Sequence, residues 1–131
     1  MNQAIGYQVV DRLMQLVVAV SDMPKAKAFY ADKLGLKVTK DYRQDDDHWW
    51  VNLRAREGGI TITLSTFHAH MKPGTLQLYF ATSDVAVAHR ELSAAGANVS
   101  EMQDNLFGPG TGVKWFELQD PDGNRVLLVQ A

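Results

Sequence analysis

The chain has 131 residues, 46% hydrophobic and 21% charged, with a formal net charge of −2 and no cysteine. That is enough chain for one domain, residues 1–131, with a core of its own, and its scattered basic residues give no footprint for nucleic acid. Neither disulfides nor thiol chemistry can carry fold or function, and no apolar run approaches membrane-spanning length.

Residues 1 to 11 read as a short arm with one apolar patch, Val9-Val10. The arm lacks a basic stretch followed by an apolar one, so the expected location is the cytoplasm. Leu13 to Val20 is a nearly unbroken apolar run rich in β-branched residues, which suits a strand covered on both sides. Asp22 then caps a helix, Pro24 sits in its first turn where a missing N–H costs nothing, and Ala26, Tyr30 and Leu34 recur at helical spacing before Gly35 stops it. Three strands are predicted next, over 36–43, 48–54 and 60–65, the last with Ile60, Ile62 and Leu64 alternating with Thr61, Thr63 and Ser65. The order is β-α-β-β-β.

After a connector ending in Lys72-Pro73-Gly74, the order repeats. Gln77 to Ser83 reads as a strand, and Asp84 caps a helix with Val85, Ala88, Leu92 and Ala95 on one face. Strands are predicted over 98–103, 113–118 and 125–129. The last two are joined by Asp120-Pro121-Asp122-Gly123-Asn124, a run of turn formers that makes a tight hairpin. Gln15 to Gln77 and Asp22 to Asp84 share one offset of 62 residues, so the chain reads as two copies of one module, about 11–66 and 75–131. The fold class is α+β: tandem modules forming a curved mixed sheet around a central cavity, because a sheet with a helix on one face leaves the other to be covered or to enclose something.

Strand alternation assigns the faces. Leu16, Val18, Val20, Leu78, Phe80, Val126 and Leu128 are expected under the helices. Gln15, Val17, Ala19, Trp50, Asn52, Arg54, Thr61, Thr63, Gln77, Tyr79, Ala81, Trp115, Glu117, Arg125, Leu127 and Val129 are expected to face the hollow. Trp49 and Trp50 are adjacent, so one points to each side.

The unit Val20-Ser21-Asp22 through Phe29-Tyr30 and Leu34-Gly35, with the ending Phe116-Glu117-Leu118-Gln119-Asp120-Pro121-Asp122-Gly123-Asn124, resembles the glyoxalase / bleomycin-resistance / extradiol-dioxygenase superfamily, the vicinal oxygen chelate proteins. The resemblance covers residues 13 to 130. It implies metal-ligand positions on the first and last strand of each module, which here fall on Gln15, the region Thr61 to Thr63, Gln77 and Leu127. Neutral amides offset little of a divalent ion's charge and Leu127 offers no donor, so no metal and no other cofactor is expected, with a divalent metal as the alternative. The resemblance also implies a homodimer, its pocket joining the first module of one chain to the second of its partner.

The expected function is therefore metal-independent binding of a small aromatic or cationic molecule, a resistance-type sequestration in the manner of antibiotic-resistance proteins, rather than catalysis. The alternative is a glyoxalase-type lyase or isomerase, or a dioxygenase, with an atypical ligand set. Candidate ligand-binding residues are Gln15, Trp50, Asn52, Arg54, Thr63, Gln77, Tyr79, Phe107, Trp115 and Glu117. Trp50 and Trp115 can sandwich a flat ligand or simply fill the core. Glu117 can attract a cation, and Arg54 can pair with Glu117 or bind an anionic ligand, or make only a surface salt bridge of little energetic value. Phe107 tips the loop 104–112, a lid over the pocket or a plain connection. His48, beside three aspartates, reads as a solvated surface histidine, and His68 and His70 fall in the connector.

Overall fold

The computed structural model of the protein describes residues 6, 8–67 and 70–131; His68 lies outside them. The first module runs β1 (Gln15–Ala19), α1 (Met23–Lys27) continued by a π-helical turn (Ala28–Lys33), β2 (Lys37–Asp45), β3 (His48–Ala55) and β4 (Gly58–Ser65). The second runs β5 (Gln77–Thr82), α2 (Val85–Ala94), β6 (Trp115–Gln119) and β7 (Arg125–Gln130). Each module has its own mixed sheet. The first is ordered β1-β4-β3-β2, with β1 parallel to β4, and the second β5-β7-β6, with β5 parallel to β7. Both helices start as the sequence predicts: the Asp22 carboxylate accepts from the Lys25 N–H at 3.0 Å and Asp84 from Val87 at 3.1 Å, caps worth about 1 kcal/mol each.

The segment 98–103, expected to be a strand, is not one. It lies along β6 through Ser100 N to Glu117 O (2.8 Å) and a bridge between Gln103 and Trp115, but the Glu117 N–H is taken by the Ser100 hydroxyl at 2.9 Å. A side chain that captures a ladder donor interrupts the regular pairing.

One apolar core serves both modules. Val18, Val20, Val51, Leu53, Ile62 and Leu64 of the first sheet and Leu78, Phe116, Leu118, Val126 and Leu128 of the second belong to a single buried cluster with Met23, Phe29, Tyr30, Val85 and Leu92. These strand residues all have the parity predicted to lie under the helices. The opposite face of each sheet is therefore turned outward, away from the shared core.

The Asp-Pro-Asp-Gly-Asn hairpin fastens the modules. Asp120 is buried and accepts from the Tyr30 hydroxyl at 2.6 Å, the Asn124 N–H at 2.8 Å and the Asn124 side-chain amide at 2.7 Å, while Asn124 Oδ1 accepts from Leu76 N at 2.8 Å. Next to it, Asp122 accepts from the Ser21 backbone N–H and hydroxyl. The connector presses on the same turn: Gly74 has φ +85°, and a Cβ there would lie 2.1 Å from the Asp122 carbonyl oxygen. The π turn serves this latch. Leu34 N bonds Phe29 O rather than the residue one step closer, and the widened turn buries the neighbours Phe29 and Tyr30 together. Burial, and then the Asp120 carboxylate, push the Tyr30 phenol far above its ordinary value, so it remains a donor. Among the described residues, no helix is long and apolar enough to cross a membrane.

Candidate functional site

Register sets the outward face of the first sheet. Gln15 pairs with Thr61, Val17 with Thr63, Thr63 with Asn52 and Tyr42 with Trp50. Gln15 Nε2 donates to Thr63 Oγ1 at 2.6 Å, and Thr63 donates to Asn52 Oδ1 at 2.8 Å, a neutral relay across β1, β4 and β3. Beside it the Tyr42 and Trp50 rings sit with centroids 4.6 Å apart. Trp49 points to the other side, packing against the core, donating Nε1–H to Asp41 at 2.8 Å and lying under the Arg43 guanidinium. The two tryptophans divide between the faces as adjacency requires.

The outward face of the second sheet carries charge. Gln77 pairs with Arg125, Tyr79 with Leu127 and Leu127 with Glu117. Arg125 grips both oxygens of Glu117, Nε to Oε2 at 2.8 Å and Nη2 to Oε1 at 2.9 Å, and donates Nη1–H to Gln77 Oε1 at 3.1 Å. Gln77 Nε2 in turn donates to the Tyr79 hydroxyl at 2.6 Å. Arg125's hydrogen bonds hold the Glu117 carboxyl below its ordinary range, against some opposing burial, and the same bonds raise Arg125. Tyr79 is 50% exposed and lies 6.3 Å from Phe107, the two rings nearly parallel. Phe107 is 79% exposed at the tip of the loop and has φ +68°, a left-handed conformation that is a true outlier for a bulky side chain. The loop beneath is anchored by buried Leu106, whose carbonyl accepts from Thr111 Oγ1 at 2.7 Å. Trp115 Nε1 is buried and has no partner among the described residues.

The predicted residues thus form two groups rather than one: Gln15, Trp50, Asn52 and Thr63 on one sheet, and Gln77, Tyr79, Trp115 and Glu117 with Phe107 on the other. Within one chain the groups face outward on sheets that share a core at their backs. Arg54 joins neither; after a register shift at the end of β3 its guanidinium bonds the Gly59 carbonyl at 2.8 Å, and it does not reach Glu117. His48 lies at the β2–β3 turn, its Nδ1 2.9 Å from Asp45 and its ring stacked on Phe67. Two residues outside the candidate set belong on these faces. Arg125 was visible by alternation. Tyr42 was hidden, because β2 is bulged between Val38 and Lys40 and again between Arg43 and Asp45, which breaks the alternation needed to place it.

Two clefts, of about 670 and 790 Å³, lie where the modules meet. The smaller is lined by Phe29, Lys33, Ala97, Ser100 and Glu117, the larger by Leu34, Leu36, Ala88, Leu92 and Ala95 among others. Neither includes Gln15, Trp50, Asn52 or Thr63.

The resemblance implies a metal, and of the positions it implies Gln15 and Thr63 share one outward face and Gln77 and Leu127 the other. These fit a divalent cation poorly. They offer two neutral amides, one hydroxyl and one alkyl side chain, Leu127 is 1% exposed, and the Gln77 oxygen already faces a guanidinium. Among the described residues, no three His, Cys, Asp or Glu side chains are grouped to hold an ion.

No curated protein matches the chain. Among solved structures it is similar to TnmS3, an antibiotic binding protein from Streptomyces sp. CB03234, at 25% identity over 95% of this chain and 98% of that one, with a TM-score of 0.82. A glyoxalase/bleomycin resistance protein from the same organism is 26% identical over 90% of this chain and 99% of its own, with a TM-score of 0.75. A superfamily member from Sphaerobacter thermophilus shares the fold at 22% identity, with a TM-score of 0.76 over 95% of this chain and 100% of that one. A family model matches residues 12–128, nearly the whole chain and both modules, and with it the chain belongs to the Glyoxalase/Bleomycin resistance protein/Dioxygenase superfamily.

Proposed function

We propose that this protein binds and sequesters a small, flat aromatic molecule without a metal ion, in a hollow closed by two copies of the chain. The observation that carries the reading is the pair of outward faces. Each presents aromatic rings, exposed Tyr42 on half-buried Trp50 on one and exposed Tyr79 with exposed Phe107 on the other, around polar groups that are already bonded to each other. Apolar rings beside a few fixed polar groups are the composition of a small-molecule site. Each face has one wall and lacks the other.

A second copy supplies that wall. The first module of one chain would stand opposite the second module of its partner, giving two equivalent hollows per dimer. Support comes from the exposed edges: β1 and β5 are edge strands, and Val9, Val10, Leu13 and Met14 leading into β1 are each at least 61% exposed. The similarity to an antibiotic binding protein agrees with a ligand of drug size. The cationic part of the expectation has less support, since Glu117 is already neutralised by Arg125.

The test is a titration of flat aromatic antibiotics into the protein with a chelator present, following tryptophan fluorescence, together with light scattering for mass. Quenching that saturates at one ligand per chain on a two-chain particle is expected. No response across the panel, or a response that disappears with chelation, overturns the reading.

A further inference from the structure

On the outward face of the second module, the arithmetic of hydrogen-bond donors goes further than ring stacking. A guanidinium has five N–H groups. Three of Arg125's are committed, two to Glu117 and one to Gln77. Among the described residues two have no partner, one on each terminal nitrogen, on a side chain that is 46% exposed. The Tyr79 hydroxyl oxygen accepts from Gln77, which leaves its own proton to be given away. Gln77 has both ends engaged at once, and Glu117, with one lone pair of each oxygen held by Arg125, is the less exposed partner, at 28%. The best exposed uncommitted groups of this face, the Arg125 N–H groups and the Tyr79 O–H, are therefore donors, and they lie next to the Tyr79–Phe107 rings. The guanidinium also stands beside Gln77, at a corner where the superfamily resemblance implies a metal ion, so the chain brings its own cation there.

We infer that the ligand is an aromatic molecule bearing acceptor oxygens at its edge, such as a ring carboxylate, which takes the free N–H groups of Arg125 and the Tyr79 O–H while its ring stacks on Phe107 and Tyr79. This rests on the proposed aromatic-binding function and specifies its ligand class. Arg125 is then the residue that sets specificity. Its fork toward Glu117 fixes the guanidinium plane before the ligand arrives, so little rotamer freedom remains to be lost on binding. Acceptor oxygens facing this plane gain charge-assisted bonds, while an amine at the same edge finds only the remaining lone pairs of the less exposed Glu117.

The experiment compares two probes on one ring system, 2-anthracenecarboxylate and 2-aminoanthracene, by quenching of protein fluorescence and by probe anisotropy. The carboxylate is expected to bind about tenfold tighter, the effect of one hydrogen bond to a charged group. Arg125→Gln should remove that preference and, with Glu117 released, shift it toward the amine. Tyr79→Phe keeps the ring and should cost the carboxylate a few-fold without touching the amine. Equal affinities in the native protein, or a preference that survives Arg125→Gln, overturn the assignment and leave aromatic binding standing. Binding of neither probe overturns both. If Arg125→Gln does not fold, the native comparison and Tyr79→Phe still decide.

Discussion

The two modules share a chain order and differ in what they expose. On the first, the outward face is a neutral relay, Gln15 to Thr63 to Asn52; on the second it is an ion pair, Arg125 with Glu117, tied to Gln77 and Tyr79. On the core side the modules agree: Leu16 and Val18 have their counterparts in Leu78 and Phe80, both helices are capped by aspartate, and both sheets pair their first strand in parallel. A repeat is held to its pattern where side chains must fill shared space, and is released from it where they meet solvent or ligand. The positions that diverged are those where a site can be built.

The largest expected effect breaks the side on which the modules agree. Asp120→Ala leaves the Tyr30 hydroxyl, the Asn124 amide and two backbone N–H groups of the turn without their acceptor. Urea unfolding should show a loss on the order of 3–5 kcal/mol. A loss below about 0.5 kcal/mol would mean the hairpin does not couple the modules. Tyr30→Phe keeps the packing and removes one bond to a charged acceptor, for about 1.5–3 kcal/mol by the same measurement. A midpoint identical to the native protein would remove Tyr30 from the latch.

Phe107→Asn should have the opposite sign. Asparagine tolerates the left-handed backbone that Phe107 is held in at φ +68°, so stability should rise by about 1 kcal/mol while affinity for aromatic ligands falls. Unchanged affinity would show that the ring does not touch the ligand. Smallest is the response to acid, which distinguishes the two faces. The first relay has no titrating group. Glu117 is held below its ordinary value by Arg125, so its contribution to stability is present above about pH 4 and is lost as the pH falls through the lower folded-state value. In single-tryptophan variants, Trp115, two residues from Glu117, should report this acid step and Trp50 should not. Equal responses would erase the distinction.

The core side of this molecule was legible because it obeys simple periods. Parity placed Leu16, Val18, Val20, Leu78, Val126 and Leu128, and the residues of the Asp120–Asn124 turn announced a hairpin. The turn's second task, receiving Tyr30 from the other module, was not legible, since nothing local in the sequence pairs residues 90 positions apart. The site was half legible for a related reason. Alternation gave the right face for Gln15, Asn52, Thr63, Gln77 and Glu117 but could not say that the faces sit on opposite sides of one core. Arg54 and Glu117 were joined on charge alone, whereas Glu117's partner is Arg125, one strand away and on the same face.

Two faces that look away from each other also make a statement about stoichiometry of damage. If each hollow draws Trp50 from one chain and Trp115 from the other, a Trp50→Ala protein and a Trp115→Ala protein, each defective in both hollows, should recover ligand binding when their subunits are exchanged. The hybrid carries one hollow with both lesions and one with none. Complementation to half the native capacity per hybrid dimer is the outcome expected of a chain whose two outward faces stand back to back.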